Sequence, residues 1–197
     1  MIQIVVARHH ECIRWTKHFD NVVIYNNGKP LVPSEYNEVS LPKNVGREGH
    51  TYYTYICQNY DNLPDYVIFL QGYPADHSPH FNENIKKYKE SPTDFEFISD
   101  TVEHTTFENE RKRHWQCKNI YDTYEKIFGV KCDITSEIIF GHGAQFAVSK
   151  RAILQRPREF YENIVRMLEY HVNPLEGYDV ERLHKLIFDQ TTSAKIN

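Results

Sequence analysis

The chain contains no apolar stretch approaching the roughly 20 residues that a bilayer-spanning helix requires. Its first apolar run, Ile4-Val5-Val6-Ala7, is also too short for the hydrophobic region of a secretory signal. No membrane span is therefore expected, and action at a membrane would need a partner domain or a surface contact. Cysteine is scarce. Cys12, Cys57, Cys117 and Cys132 form no Cys-x-x-Cys pair and match no zinc-module spacing. Reduced thiols in a cytoplasmic setting are the plain reading. Positive charge is not in excess either: 23 Lys and Arg face 27 Asp and Glu, for a net charge of −4. Nucleic-acid binding lacks its usual electrostatic footprint in that balance. Several catalytic signatures are missing as well. The absence of Gly-x-Ser-x-Gly weighs against an α/β-hydrolase, and that of His-Glu-x-x-His against a zinc protease. Neither a P-loop nor a Gly-x-Gly-x-x-Gly fingerprint occurs.

What is present suffices for a packed core. The 197 residues are 40% hydrophobic and 14% aromatic, with 14 Tyr and 11 Phe. A chain of this length buries about 70% of its unfolded surface, so it folds without disulfides or metal. One domain is expected over residues 1–190, with a polar tail at 191–197. Buried β-branched runs predict strands at Ile2–Val6, Val22–Tyr25 and Tyr66–Leu70. A helix is expected between the first two, from His10 to Phe19. Pro30 to Pro42 reads as an irregular loop with one short extended piece. Glu48–Tyr60 predicts a helix with a tyrosine-rich buried face, and Trp115–Phe128 an amphipathic helix closed by Gly129. A short helix at Phe81–Tyr88 and short strands at Phe95–Ile98, Ile138–Phe140 and Gln145–Val148 follow. Helices at Lys150–Leu154, Pro157–His171 and Val180–Phe188 complete the order. Strands alternating with helices early in the chain predict an α/β fold with an open mixed sheet flanked by helices. Ligands of such sheets bind beyond the carboxyl ends of the strands.

Three loops at strand ends are thus candidate sites: Ala7–His10, Tyr25–Gly28 and Gln71–His80. Asp76, His77 and His80 offer a carboxylate and two imidazoles for a divalent metal or for proton transfer; a solvated turn capped by Asp76 is the alternative, and it accounts for the two histidines more readily. Arg47 stands where Asn44-Val45-Gly46-Arg47 feeds a helix, a place suited to phosphate, although surface arginines are common there. Gly141-His142-Gly143-Ala144 allows close approach of a ligand to the main chain, or simply a tight bend. Glu181 and Lys185 share one helix face, where an ordinary surface ion pair accounts for them.

Taken together, several segments resemble a known but functionally uncharacterised family found in fungi and large algal viruses. These are Asn44-Val45-Gly46-Arg47-Glu48-Gly49-His50, Asn59-Tyr60-Asp61-Asn62-Leu63-Pro64-Asp65, Phe69-Leu70-Gln71-Gly72, Gly143-Ala144-Gln145-Phe146-Ala147-Val148-Ser149, and Glu181-Arg182-Leu183 with Ile187-Phe188. Val5-Val6-Ala7-Arg8 and Val22-Val23-Ile24-Tyr25-Asn26-Asn27-Gly28 resemble the opening of GT-A-type glycosyltransferases, whose fold is Rossmann-related. The resemblance implies transfer of a sugar from a UDP- or GDP-linked donor to a hydroxyl of a carbohydrate or glycan acceptor, with inversion. It implies a nucleotide-sugar pocket of Ala7, Arg8, Tyr25, Asn26, Arg47 and Gln71. It implies an acceptor side of His142, Gly143 and Gln145, and Glu181 as general base. One departure stands out: the Asp-x-Asp that holds Mn²⁺ or Mg²⁺ in such enzymes is absent. Either Asp76 binds the metal, or cations such as Arg47, Arg151, Arg182 and Lys185 replace it. The alternative is a non-catalytic carbohydrate- or nucleotide-binding module on the same fold. A metal-dependent hydrolase built on Asp76, His77 and His80 is a third reading.

Overall fold

The computed structural model describes residues 1–31 and 35–189. The expected polar tail at 191–197, and part of the irregular loop after Pro30, lie outside the described residues. Six strands form one mixed sheet in the order β3-β2-β1-β4-β8-β5. They are β1 (Ile2–Arg8), β2 (Val22–Asn26), β3 (Glu38–Ser40), β4 (Tyr66–Gln71), β5 (Phe95–Phe97) and β8 (Phe146–Ser149). The first four run parallel, with Ala7 beside Tyr25 on one flank and Gln71 on the other. β8 pairs antiparallel with both β4 and β5. A separate hairpin joins β6 (Val102–Thr106) and β7 (Glu137–Gly141).

The period of two in the central strands sorts side chains onto two faces. Val5, Ala7, Val67 and Phe69 point into a larger core beneath α1 (Arg47–Asn59), α4 (Ile120–Phe128), α6 (Arg158–Leu168) and α7 (Leu175–Phe188). Ile4, Val6, Ile68 and Leu70 point the other way, towards α2 (Phe81–Glu90) and the 3₁₀ turn Arg14–His18. With both faces covered, the continuous apolar runs in these strands have their physical explanation. Tyr52 and Tyr55 of α1 are buried against Phe69 of the sheet, and Tyr53 against Tyr161 of α6 and Phe188 of α7, so these tyrosines build core. Gly129 adopts a left-handed conformation (φ 72°) and closes α4, as expected.

Other expectations shift. The anticipated helix from His10 to Phe19 is only the five-residue 3₁₀ turn Arg14–His18. Trp15 anchors it, stacking edge-on against Phe81 and donating from Nε1 to the Gly72 carbonyl (3.0 Å). The helix expected at Trp115–Phe128 divides into a 3₁₀ turn at Trp115–Cys117 and α4. α7 begins at Leu175, just after Pro174, and not at Val180. Pro157 sits one residue before α6 instead of inside its first turn. β6 and α3 (Phe107–Arg113) were not anticipated. β6 carries a single aliphatic residue, Val102, and exists because it pairs with β7. α3 is fixed at its start by the Thr106 hydroxyl, which accepts from the Asn109 N–H (3.2 Å).

Candidate functional site

The order β3-β2-β1-β4 places a change of direction between β1 and β4, where open α/β sheets receive ligands beyond the carboxyl ends. A cleft of about 220 Å³ opens on that side, past the end of β4. Its wall combines Arg47 and Glu48 from the start of α1, Gln71 from the end of β4, and His142, Gly143 and Ala144 from the β7–β8 turn. Tyr178, Glu181 and Arg182 of α7 complete the floor, and Glu103, His114 and His77 stand at the sides.

The backbone is strained at two of these places. Arg47 (φ 56°) and Ala144 (φ 53°) are two of the three non-glycine residues with positive φ among the described residues. Such conformations cost of order 1–3 kcal/mol and concentrate at binding and catalytic sites. Arg47 is held there by hydrogen bonds to the connection between α6 and α7: the Gly46 N–H donates to His171 O at 2.9 Å, and the Arg47 N–H donates to Val172 O at 3.3 Å. Its guanidinium lies over the Tyr178 ring (4.1 Å), which fixes a long side chain at the cleft wall. Gly177 leaves the space: a Cβ there would come within 3.2 Å of Arg47 Cδ.

Glu181 is oriented from two sides. Its Oε1 accepts the Gly143 N–H (3.1 Å) and its Oε2 accepts from Arg182 Nη1 (3.0 Å). Each carboxylate oxygen has a further lone pair for a ligand hydroxyl. Arg182 in turn donates from Nε to Glu110 Oε1 (2.9 Å) and lies over Phe140 (4.6 Å). Glu110 is fully buried, so Arg182 neutralises two carboxylates in a poorly solvated layer. Beside this row, His142 Nε2 is 2.8 Å from Glu103 Oε1, and the His142 ring stacks on Phe140. Desolvation opposes ionisation of Glu103, but hydrogen bonds from His142 and Arg113 outweigh it and hold the carboxyl below its ordinary value. The Tyr52 hydroxyl is buried without a partner, and the nearby Glu48 and Glu181 charges join burial in pushing its ionisation well up.

Of the residues anticipated from sequence, Arg47, Gln71, His142, Gly143 and Glu181 meet in this cleft. Gln145 lies behind it, fully buried, donating from Nε2 to Pro74 O (3.0 Å) and to the Ser78 hydroxyl (3.3 Å). Ala7 and Tyr25 face the core beneath α1, and the Tyr25 hydroxyl donates to Gln58 Oε1 (2.8 Å). Strand parity is the cause: the next residues along, Arg8 and Asn26, carry the polar groups. Those groups are engaged with one another. Arg8 Nη1 donates to Asn26 Oδ1 (2.8 Å) and Lys29 O (3.1 Å), while Asn26 Nδ2 donates to Glu38 Oε1 (2.6 Å). None of Ala7, Arg8, Tyr25 and Asn26 lines the cleft. Asp76 is exposed on the 3₁₀ turn Pro74–Asp76, outside the cleft wall, although its neighbour His77 reaches the wall. His80 turns instead to Asp100 (2.9 Å). Among the described residues no group of three or more His, Cys, Asp or Glu is arranged to hold a metal ion.

Glu48, Glu103, His114 and Tyr178 were missed. Glu103 and His114 fall in β6 and after α3, where no periodicity marks an element. Tyr178 sits in the first turns of α7, ahead of the expected helix start. Among the described residues no helix is long and apolar enough to cross a membrane. All four cysteines are free.

A family profile described as "Protein of unknown function (DUF3431)" matches residues 4–196. No curated protein and no solved structure matches the chain.

Proposed function

The chain belongs to the DUF3431 family, and from that premise we propose that it is a glycosyltransferase whose cleft seats the transferred sugar of a nucleotide-sugar donor. One observation carries the reading: Arg47, Gln71, His142, Gly143 and Glu181, singled out by their place in the sequence, converge on one cleft beyond the carboxyl ends of the parallel strands. At about 220 Å³ the cleft is smaller than the roughly 300–1,000 Å³ typical for drug-sized ligands. It suits a single sugar ring, with the nucleotide extending outward towards the β1–β4 switch point.

In this reading an acceptor hydroxyl enters beside His142 and Gly143. Its oxygen attacks the anomeric carbon as the bond from that carbon to the donor phosphate breaks. Glu181 takes the hydroxyl proton, and the electron pair leaves with the nucleoside diphosphate. Inversion follows from a single displacement. Arg47, fixed over Tyr178, stabilises the charge that develops on the leaving phosphate. The hydrogen bonds from Gly143 N–H and Arg182 aim the Glu181 carboxylate without using all of its lone pairs.

The test is donor turnover with UDP- and GDP-sugars, with and without Mn²⁺ or Mg²⁺, alongside calorimetric titration of the same donors. Glu181→Gln is expected to lower turnover by about 10²–10⁴-fold while leaving donor affinity near wild type, as loss of a general base does. A variant within about twofold of wild type would remove Glu181 from that role. A second reading, a non-catalytic carbohydrate- or nucleotide-binding module, is favoured by the internal pairing of Arg8 with Asn26, which leaves the expected nucleotide ligands occupied. Donor binding with no turnover, in the presence of varied acceptors, would select it.

A further inference from the structure

Although acidic residues outnumber basic ones, Arg111, Lys112, Arg113 and Lys118 fall in one short segment, residues 111–118, that holds no Asp or Glu. All four are exposed, running from the end of α3 through the 3₁₀ turn that follows it. At the centre stands Trp115, 67% exposed. The contrast with Trp15 is instructive, because that indole is half-buried and spends its N–H on Gly72. Ile134 is exposed, its carbonyl accepting the Glu108 N–H (3.0 Å), and it shares a shallow groove with Glu108, Arg111, Lys112, Lys118 and Tyr121.

The cations here are largely available. Arg111 lies over the Tyr121 ring (4.8 Å) and donates to Lys118 O (3.1 Å), and it has no carboxylate partner among the described residues. The Lys118 ammonium has none among them either. Lys112 pairs with Glu108 (2.7 Å) across exposed positions, where such pairs are weak and easily exchanged, while Arg113 also serves the half-buried Glu103 of the cleft wall (3.2 Å).

We propose that this face, centred on Trp115, docks onto the surface of an anionic phospholipid bilayer. A bilayer interface accepts what this segment offers: an exposed amphipathic indole for headgroup depth, with exposed cations within four residues of it in the chain to meet lipid phosphates. A protein of net charge −4 is otherwise repelled by such a surface, so gathering four cations and one exposed indole into residues 111–118 has a direct electrostatic effect. A soluble polyanion without aromatic rings, such as a sulfated polysaccharide, would engage the cations but has no use for Trp115 and Ile134. The geometry also places the cleft near the docked surface, because His114 and Gln116, on either side of Trp115, both line it.

The experiment uses the full chain without any sugar donor, so its outcome is independent of the transferase reading. Sedimentation is measured with vesicles of phosphatidylcholine alone and of phosphatidylcholine with phosphatidylserine. Partitioning is expected only with phosphatidylserine, weakening as salt rises, together with a blue shift of tryptophan emission. The double variant R111Q/K118Q should weaken partitioning about 25-fold, roughly fivefold for each cation. Trp115→Ser should abolish the blue shift. Lys118→Gln alone, altering an exposed side chain, should still cost about fivefold if the double variant misfolds. Absence of phosphatidylserine-dependent binding, or binding unchanged in Lys118→Gln and in R111Q/K118Q, overturns the proposal. Equal binding to soluble heparin without a blue shift also overturns it and assigns the patch to a polyanion.

Discussion

At the scale of single residues, the cleft depends on Arg182 more than on any other side chain. It touches Glu110, Glu181 and Phe140, and only 11% of its side chain is exposed. Removing it would leave the fully buried Glu110, whose Oε2 already lacks a partner, with only His114 near it at 3.7 Å. Breaking a buried pair from one side costs about 3–5 kcal/mol. Arg182→Leu is therefore expected to lower unfolding stability by that order in chemical denaturation, and Arg182→Leu with Glu110→Leu to recover much of it. A double variant no more stable than the single would show that the Glu110 charge is not what makes the loss large. Arg182 and Glu110 are 72 residues apart, so this pair is invisible to local reading. Glu181 was legible from its place in a resembling ending. What orients it, a backbone N–H and a buried guanidinium, was not.

At the scale of elements, the β7–β8 turn decides the shape of the cleft. Gly143 (φ 78°) and Ala144 (φ 53°) both adopt left-handed backbone, which turns the chain tightly enough to aim the Gly143 N–H at Glu181. A Cβ on Gly143 would meet the Cβ of His77 at 2.8 Å. Gly143→Ala thus carries a backbone cost of about 1–2 kcal/mol and must also push the Pro74–His77 segment away. Its thermal midpoint should fall, and turnover should fall with it, because Glu181 loses the N–H that aims it. Unchanged stability would mean that the turn relaxes without cost. The glycine pair in Gly141-His142-Gly143 announced a bend, but the choice between a bend and a ligand approach needed the position of His77. Elements with strong patterns were legible throughout: β1, β2, β4, α1 and the glycine-closed α4. β6 and α3 were not, because Val102-Glu103-His104-Thr105-Thr106 alternates nothing apolar and takes its strand form from the β7 ladder.

At the scale of the whole molecule, two buried titratable groups set opposing pH responses. Burial pushes the Asp179 carboxyl up to about 7 from 3.8, against the Thr123 hydroxyl that donates to it (2.5 Å). The folded protein keeps that proton when the unfolded chain has lost it, so stability falls as pH rises from about 4 to about 7. Burial drives the His184 imidazole down to about 3 from 6.5. Here the unfolded chain takes the proton first, and stability falls as pH drops from about 6.5 towards 3. Each slope approaches roughly 1.4 kcal/mol per pH unit at most, and between about pH 4 and 6.5 they cancel. Burial also lowers the His50 imidazole, which adds to the loss on acidification, so wild type should show only a shallow decline in stability as pH falls through that window. Asp179→Asn should steepen the decline on acidification and gain on the order of 1–4 kcal/mol at pH 8. Denaturant titrations at pH 4.5, 6 and 8 check this; parallel profiles for the two proteins would show that Asp179 titrates normally.

The sequence by itself determined the class of architecture. Runs such as Ile4-Val5-Val6-Ala7 and Val67-Ile68-Phe69-Leu70, short and largely β-branched, favour strands covered on both faces, and a tyrosine-rich helix face packs against them. It also fixed the absence of any run suited to a bilayer span. Which side chains share a cleft was decided by tertiary structure alone. Tyr25 and Asn26 are neighbours in the chain, yet one enters the core and the other pairs with Arg8. Glu181 and Gly143 meet because α7 crosses the β7–β8 turn. Local pattern sets which face of an element is apolar, but proximity between polar groups is set by how those faces pack, and that information is spread over the whole chain.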